Sequence, residues 1–436
     1  MQVKPFKAFR YDKDKVGDVG RCVAPPYDVI SPAQQQKLYE KSEYNIVRII
    51  KGQNSPSDNG SDNIYTRAAN YLNNWIERGI LKQDSDETIY AYVQDFELNG
   101  EKCQRFSFVA LAKLEEFGKV VRPHEQTLNE PIIDRLNLKR ATAAKFGLVF
   151  CLYEDRQRVV DRIIEGAVGR EPLIDLVDEQ DVRHRLFTIT NNAEIDTIEK
   201  VMHDKSCIIA DGHHRYITGL SYSKENANPA SAYQMLAFAN THQTGLIVLA
   251  THRLIGNLDN FDMEKLLAGL KDNFEIIEFR FTSPQTKDDA RGKMLTRMKA
   301  EYDGHRSAFG IYAGGSAFYA AILKDKSAMD PVAPNMSLAW RTLDVSVLHK
   351  LILEKLLGIN EEKLAEGQNL KYVKDTPNAI DESIAAVDAG QKQAAFFMNP
   401  PKIQQIQDVA DQGERMPQKS TYFYPKIYTG LIINKL

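Results

Sequence analysis

The sequence has few cysteines, and their spacing gives them no common role. The four lie singly at Cys22, Cys103, Cys151 and Cys207, with no CxxC pair. Structural zinc sites and redox pairs place cysteines at short, regular spacings, so the pattern argues against both. Cys151 and Cys207 lie in apolar, strand-like runs, and we expect all four thiols to be reduced, with these two in the core.

Two further features are absent: an excess of charge and a long apolar run. Lys and Arg total 56 against 59 Asp and Glu, so there is no bulk positive field of the kind that drives nonspecific binding to nucleic acid. No run of about 18 apolar residues occurs, and residues 1–12 lack the apolar core of a signal peptide. We expect a cytoplasmic protein whose partners include neither a membrane nor nucleic acid.

Length and composition indicate a globular protein of two domains. A chain of 436 residues, 43% hydrophobic and 26% charged, exceeds one ordinary hydrophobic core. Strand and helix patterns alternate without an internal repeat, which predicts a mixed class between α/β and α+β. We place an N-terminal domain, which carries the functional site, at residues 1–255 and a C-terminal α+β domain at 256–436, with the chain end packing back on that site.

Local signals predict several elements with defined ends. Ser31 is expected to cap a helix that Pro32 begins. Asn99-Gly100 separates two β-prone runs, 89–98 and 105–114, as in a hairpin turn. The same kinds of signal predict a strand at 44–50, a helix at 65–79, a helix near 134–144, a strand at 206–210 with a helix after it, a strand at 246–251 and a hairpin at 309–323.

The segment DGHHR follows the predicted strand 206–210 and opens the next helix. Gly212 permits a tight turn, and a helix start offers amide groups and a positive dipole end to an anion. Arg215 adds a guanidinium suited to phosphate, while Asp211, His213 and His214 could serve as base, proton donor or metal ligands. The alternative is that Asp211 caps the helix and the histidines are surface residues.

His124-Glu125 begins like a zinc-protease HExxH motif, but Leu128 stands where the second histidine should be. The zinc-protease interpretation therefore fails. The pair could still supply a base or a carboxylate ligand for Mg²⁺. The alternative is a solvated loop in which Thr127 caps a helix.

Three weaker candidates remain. The PPYD segment at 25–28 is either a rigid wall with one carboxylate or simply a turn. His252 and Arg253 follow the predicted strand 246–251 and either contact an anion or lie in a surface loop. Lys419 and Ser420 are residue types that bind phosphate, but no GxxxxGK precedes them, so they form no P-loop.

These segments together resemble a family of bacterial and archaeal proteins, domain of unknown function 1015. The shared elements are PPYDVIS at 25–31, HExT at 124–127, ADGHHRY at 210–216, THR at 251–253 and PQKSTYFYPK at 417–426. Members of this family tend to be encoded beside enzymes of serine biosynthesis. The resemblance therefore implies serine or phosphoserine as a substrate.

The strand, DGHHR and helix also resemble, more distantly, the nucleotide-binding element of the ParB and sulfiredoxin superfamily, which includes a free serine kinase. That resemblance implies a ParB/sulfiredoxin-like nucleotide-binding unit beside a second α+β part. It also implies that phosphates rest on the helix start at residues 211–215 and that acidic residues assist catalysis. Glu125 is a candidate from its chemistry alone.

The leading hypothesis is a phosphotransferase or phosphohydrolase that acts on a small metabolite with ATP or ADP. Asp211, His213, His214 and Glu125 are the predicted catalytic residues, and Asp211 or Glu125 would hold Mg²⁺. The predicted ligand-binding residues are Gly212, Arg215, His124, Arg253, Lys419 and Ser420. We expect His124 and Glu125 to face the DGHHR turn. The rival hypothesis is a noncatalytic protein that senses a nucleotide and regulates a partner.

Overall fold

The computed structural model describes residues 1–125 and 130–436. The chain forms two compact units. The first comprises Met1–Pro123, Thr127–Ile247 and Pro425–Leu436, and the second comprises His124–Gln126 and Val248–Tyr424. The predicted division into two domains at residue 255 stays a prediction.

The strands in chain order are β1 (Val3–Lys4), β2 (Phe9–Tyr11), β3 (Leu81–Gln83), β4 (Ile89–Leu98), β5 (Glu101–Lys113), β6 (Val121–Pro123), β7 (Ala144–Lys145), β8 (Val149–Tyr153), β9 (Ile174–Val177), β10 (Arg183–Ile189), β11 (Cys207–Asp211), β12 (Tyr233–Asn240), β13 (Ile247–Leu249), β14 (Thr251–Ile255), β15 (Phe274–Arg280), β16 (Ala308–Tyr312), β17 (Ala317–Leu323), β18 (Leu370–Lys374), β19 (Ala394–Met398), β20 (Tyr422–Tyr424) and β21 (Asn434–Lys435).

The α-helices are α1 (Lys13–Val16), α2 (Pro32–Lys41), α3 (Val47–Ile50), α4 (Ile64–Glu77), α5 (Glu130–Thr142), α6 (Val159–Val168), α7 (Asn192–His203), α8 (His213–Glu225), α9 (Met263–Leu270), α10 (Pro284–Asp303), α11 (Leu338–Arg341), α12 (Asp344–Val347), α13 (Glu361–Glu366), α14 (Ala379–Asp388) and α15 (Ile403–Asp411). Short 3₁₀ turns occupy Val19–Arg21, Tyr27–Val29, Pro229–Ala232 and Lys326–Met329, and Leu348–Glu354 is a π-helix.

The first unit is built on a mixed sheet of nine strands within the described residues. Its order is β6-β11-β8-β12-β5-β4-β10-β9, with β1 alongside β5. The pairs β11/β6 and β12/β8 are parallel, and the other pairs of this sheet are antiparallel. This arrangement confirms the predicted mixed class. At the edge of the sheet Pro123 is in register with Ile209, two residues before the end of β11.

The hairpin of β4 and β5 shows why its turn could be predicted. Asn99 and Gly100 have φ values of 53° and 80°, and a tight hairpin turn needs positive φ at both positions. β5 begins directly after the turn, at Glu101, rather than at the predicted residue 105. The capping prediction is also confirmed, because the Ser31 side chain accepts from the amide of Gln34 at the start of α2.

The predicted strand at 44–50 is wrong. Residues Val47–Ile50 form the short helix α3, in which Val47, Ile49 and Ile50 are buried in the same apolar cluster as residues of α4. The β-branched side chains favour a strand locally, but packing against α4 decides the outcome. No strand or helix was predicted from the sequence where β9, β10 and α6 lie.

Three of the four cysteines lie in the apolar cores of the first unit, beside stacked aromatic side chains. Phe108 and Phe238 stack on neighbouring strands with ring centroids 4.9 Å apart. Cys22, Cys151 and Cys207 are buried, and Cys103 is half-buried. The thiols are free, as expected.

The second unit is built on an antiparallel sheet of six strands in the described part of the chain, with the order β15-β17-β16-β19-β14-β18. Helix α10 packs on it through Met294 and Met298, and a Cβ at Gly310 would lie 2.7 Å from the Met298 sulfur. The predicted hairpin at 309–323 is confirmed by β16 and β17. Among the described helices, none is long and apolar enough to cross a membrane.

Candidate functional site

The DGHHR segment lies at a strand-to-helix turn, as predicted. Strand β11 ends at Asp211, and the register against β8 shifts between Ile209 and Asp211. Gly212 is the N-cap of α8, with φ 92°, a conformation that favours glycine because it has no Cβ. The capping alternative for Asp211 does not hold, because the N-cap position belongs to the glycine that follows it.

The Asp211 carboxylate is bonded to two cations. Arg215 Nη2 donates to Oδ2 at 2.5 Å, and Lys426 Nζ donates to Oδ1. Burial by itself would raise the pKa of this carboxyl, but the charges of Lys426 and Arg215 outweigh burial and hold the pKa well below its usual range. Asp211 therefore stays ionised at any physiological pH and organises the two cations around it.

Glycines make room for the Arg215 guanidinium. A Cβ at Gly212 would lie 2.8 Å from Arg215 Nε, and a Cβ at Gly147 would lie 3.1 Å from Nη1. The same Nη1 donates to the Leu148 carbonyl at 2.5 Å. The guanidinium is thus fixed by Asp211 at the end of β11 and by the Leu148 carbonyl just before β8, with a side chain only 12% exposed.

Lys426 was missed by the sequence reasoning, although it ends the PQKSTYFYPK element. Its carbonyl accepts from Gln94 Nε2 at 3.0 Å, and the carbonyl of Pro425 accepts from Arg105 Nη2 at 2.6 Å. These bonds tie the C-terminal segment to β4 and β5. The only sequence signal for Lys426 was that it is a basic residue in a segment shared with the family. No local pattern could link it to Asp211, because 215 residues separate the two.

Arg105 adds a buried positive charge near Asp211. It is 1% exposed, and its guanidinium lies 4.6 Å from the centroid of the Phe150 ring. Burial lowers its pKa to about 10, while the charges of Tyr92 and Asp211 act in the opposite direction. Asp211 is thus a single carboxylate in the field of three cationic side chains.

Arg215 also lines a cavity of about 70 Å³ within the first unit. Arg135, Lys139 and Lys145 line the same cavity, together with uncharged groups such as Gln234. No carboxylate occurs among the described residues of this lining. Arg135 pairs with Asp134, as Arg215 pairs with Asp211. We name this basic lining the cationic cavity, and its donors suit an anionic ligand.

Two buried lysines of the cationic cavity have lowered pKa values. Lys139 Nζ lies 3.2 Å from Gln234 Oε1, and burial lowers its pKa to about 8. Lys145 Nζ lies 2.6 Å from Asn434 Oδ1, and burial, with the charges of Lys139 and Lys4, lowers its pKa to about 6. No local sequence signal distinguished these lysines from solvated ones.

The two histidines of the segment differ in exposure. His213 is buried and interacts electrostatically with Asp211, whereas His214 is half-buried in the first turn of α8. Their roles as base or proton donor stay predictions.

His124 and Glu125 belong to the second unit, where they contact residues 417–421, the PQKST part of the PQKSTYFYPK element. His124 is fully buried, and its Nε2 lies 2.7 Å from Thr421 Oγ1. The Glu125 carboxylate accepts from the amide of Lys419, whose φ of 55° is unusual for a residue with a side chain. Thr127 lies outside the described residues.

Arg253 is placed differently from the prediction. It lies inside β14, not after a strand end, and it is 1% exposed. Its Nη2 donates to the Lys419 carbonyl at 3.3 Å, and its guanidinium lies 4.8 Å from the centroid of the Tyr372 ring. Ser420 turns its hydroxyl to the Pro417 carbonyl. The expectation that the second-unit group faces the DGHHR turn stays a prediction.

No group of three or more His, Cys, Asp or Glu side chains that could hold a metal occurs among the described residues. Both oxygens of Asp211 already bind cationic side chains, so a metal at Asp211 would have to displace one of them. The predicted Mg²⁺ ligands Asp211 and Glu125 stay predictions.

The fold defines a mixed α/β protein, and its candidate site is a strand-to-helix turn where one carboxylate binds two cationic side chains. The model of the family described as "Protein of unknown function (DUF1015)" matches residues 3–346, and the chain belongs to this family. The shared elements up to THR at 251–253 lie inside the matched range, and PQKSTYFYPK at 417–426 lies beyond it.

Solved structures with some similarity include a free serine kinase in complex with AMP. That chain is 13% identical, with 71% of this chain and 92% of that chain covered and a TM-score of 0.32. A conserved hypothetical protein from Pyrococcus furiosus is 13% identical, covering 72% and 95%, with a TM-score of 0.31. SbnI with a C-terminal truncation, from Staphylococcus aureus, is 8% identical, covering 73% and 84%, with a TM-score of 0.34. Among curated proteins none matches this chain.

Proposed function

We propose that the first unit binds a phosphate-bearing small molecule at the DGHHR turn and the cationic cavity. We further propose that the protein is a phosphotransferase or phosphohydrolase of small metabolites. The observation that carries the proposal is the cationic cavity, where Arg215, Arg135 and two buried lysines meet without a carboxylate in the lining.

The electrostatics of the cavity support a phosphate ligand. A phosphate monoester carries a charge of about −1.5 to −2 at pH 7 and offers strong acceptor oxygens. Burial makes the ammonium forms of Lys139 and Lys145 costly, and a bound anion would offset that cost. A guanidinium has five N–H groups, so Arg215 retains donors for phosphate oxygens beyond those that bind Leu148 and Asp211.

The chemistry needs little more than this arrangement. Phosphoryl transfer depends mainly on positioning and on neutralising charge. In the proposal Asp211 holds Arg215 and Lys426 in place, and His213 or His214 accepts the proton of the acceptor hydroxyl. Mg²⁺, with Asp211 or Glu125 as its predicted ligand, would supply further neutralisation.

The family resemblance suggests which molecules to test first. Serine biosynthesis genes beside family members point to serine as the acceptor, or to phosphoserine as the substrate of a hydrolase. ATP and ADP are the nucleotide donors to test.

One observation favours the noncatalytic alternative, a nucleotide-sensing regulatory protein. Asp211 is the carboxylate of the turn, but two cations hold its pKa low and occupy both oxygens. A carboxylate held ionised in this way is a poor general base at neutral pH. A sensor would bind nucleotide without turnover and would change its affinity for a partner.

Calorimetry with ATP, ADP and AMP, combined with an assay of phosphate transfer to serine, separates the two alternatives. For the catalytic function we expect turnover in the parent and its loss in Asp211→Asn and His214→Ala. Arg183→Lys is a control, because Arg183 pairs with Asp175 on an exposed part of the first unit. Nucleotide binding without turnover on any small hydroxyl acceptor would favour the sensor, and no binding would contradict both.

A further inference from the structure

The second unit contains a cavity of its own, of about 470 Å³, which we name the His349 cavity. Trp340, His349 and Tyr372 line it, together with Pro417 and Gln418. Its size is that of pockets that enclose small organic molecules. The proposed phosphate chemistry of the first unit makes no use of it.

The wall that carries His349 is a π-helix, Leu348–Glu354. Wide turns of this kind are rare and occur frequently at functional sites. His349 is 8% exposed, and its Nε2 has no hydrogen-bond partner among the residues that the structure describes. Burial, together with the charges of Arg253 and Lys350, lowers the pKa of its ring to about 3. The ring is therefore neutral, with an unused polar atom that a ligand could satisfy.

Aromatic side chains form another part of the wall. Trp340 is 7% exposed, and its Nε1 donates to the Arg415 carbonyl at 3.1 Å. Tyr372 is held by the Arg253 guanidinium, 4.8 Å from its ring centroid. Both rings are thus fixed in place and suit stacking with a planar ligand.

Charges around the His349 cavity largely cancel. Lys350 Nζ pairs with Glu354 at 2.7 Å, and the remaining charged side chains of the lining are Arg415 and Glu361, one of each sign. Unlike the cationic cavity, this pocket has no excess of one sign. An uncharged ligand suits it better than a phosphate or a carboxylate.

Segments that this chain shares with the family support this wall. Pro417 and Gln418 come from the PQKST element and line the cavity. Arg253, from the THR element, lies against Tyr372 and donates to Lys419. Glu125, from the HExT element, accepts from the Lys419 amide. These contacts hold the wall in a fixed shape.

We propose that the His349 cavity binds a neutral heteroaromatic molecule of nucleoside size, with its ring against Trp340 and Tyr372 and a hydrogen bond to His349 Nε2. The proposal does not depend on the phosphate chemistry proposed for the first unit.

Tryptophan fluorescence tests the proposal directly, because the sequence has two tryptophans. Trp75 is buried in the first unit and Trp340 lines the His349 cavity. In the full-length Trp75→Phe protein, fluorescence therefore reports on Trp340 alone. We expect adenosine, guanosine or cytidine to give a saturable change, and inorganic phosphate to give none.

Variants locate the site. In the Trp75→Phe background, His349→Leu removes one hydrogen bond and should weaken nucleoside binding about tenfold. Tyr372→Leu should weaken it as well, and His203→Leu, a control on an exposed side chain of the first unit, should not. Circular dichroism and thermal unfolding establish that each variant is folded.

Three results would overturn the proposal. One is that no nucleoside changes Trp340 fluorescence. Another is that folded His349→Leu and Tyr372→Leu both bind nucleoside as tightly as the parent. The third is that phosphate alone reproduces the fluorescence change.

Discussion

Replacing Lys145 by methionine should change how the stability of the first unit depends on pH. In the folded protein, burial and the charges of Lys139 and Lys4 lower the pKa of Lys145 to about 6. In the unfolded chain a lysine has its ordinary pKa of about 10.4. Between these values the unfolded chain holds a proton that the folded protein has lost. The contribution of Lys145 therefore makes the parent more stable as pH rises and less stable as pH falls.

The size of the effect follows from proton linkage. One proton of difference changes the free energy of unfolding by about 1.4 kcal/mol per pH unit. Between pH 9 and pH 7 the parent should lose about 2.7 kcal/mol through Lys145. Lys145→Met has no such group, so its stability relative to the parent should improve by that amount over the same interval.

Urea unfolding at pH 7, 8 and 9 measures the difference in a Trp340→Phe background, where fluorescence comes from Trp75 in the first unit. Lys82→Met is the matched control, because Lys82 is an exposed lysine on β3. The difference in free energy of unfolding between Lys82→Met and the parent should not vary with pH. If the difference between Lys145→Met and the parent is equally constant, the reasoning is refuted, because Lys145 then keeps its proton in the folded protein.

The remaining predictions concern the turn and the cationic cavity. Gly212→Ala should destabilise the first unit by about 1–3 kcal/mol and abolish ligand binding, because φ is 92° and the new Cβ would meet Arg215. Thermal unfolding measures the loss of stability. The control Gly166→Ala, where a Cβ meets open space, should leave stability unchanged. Lys426→Met should cost about 2 kcal/mol by leaving Asp211 with one cation fewer, and Lys426→Arg should restore part of it in the same assay. Nucleotide binding at pH 8 should take up protons, because a bound anion raises the pKa of Lys139 from about 8. Calorimetry in buffers of different ionisation enthalpy detects the uptake. An equal binding enthalpy in all buffers would contradict the predicted proton uptake.

The parts of the molecule that were predictable depend on neighbouring residues. The turn at Asn99-Gly100 and the cap at Ser31 are set by two to four residues of sequence, and the structure has both. The strand before Asp211 and the helix after Gly212 were likewise read from one short segment.

The parts that were not predictable depend on residues far apart in the chain. Lys426 reaches Asp211 only because the C-terminal segment joins the first unit. The lowered pKa values of Lys139 and Lys145 arise from tertiary burial. Packing likewise makes a helix of Val47–Ile50 and places Arg253 inside a strand.

A crystal structure of the protein with ADP and serine bound would test the phosphate site most directly. We predict nucleotide phosphate oxygens within hydrogen-bond distance of the Arg215 guanidinium, at the start of α8 and the cationic cavity. A nucleotide whose phosphates lie away from Arg215, Lys139 and the start of α8 would contradict the proposed function.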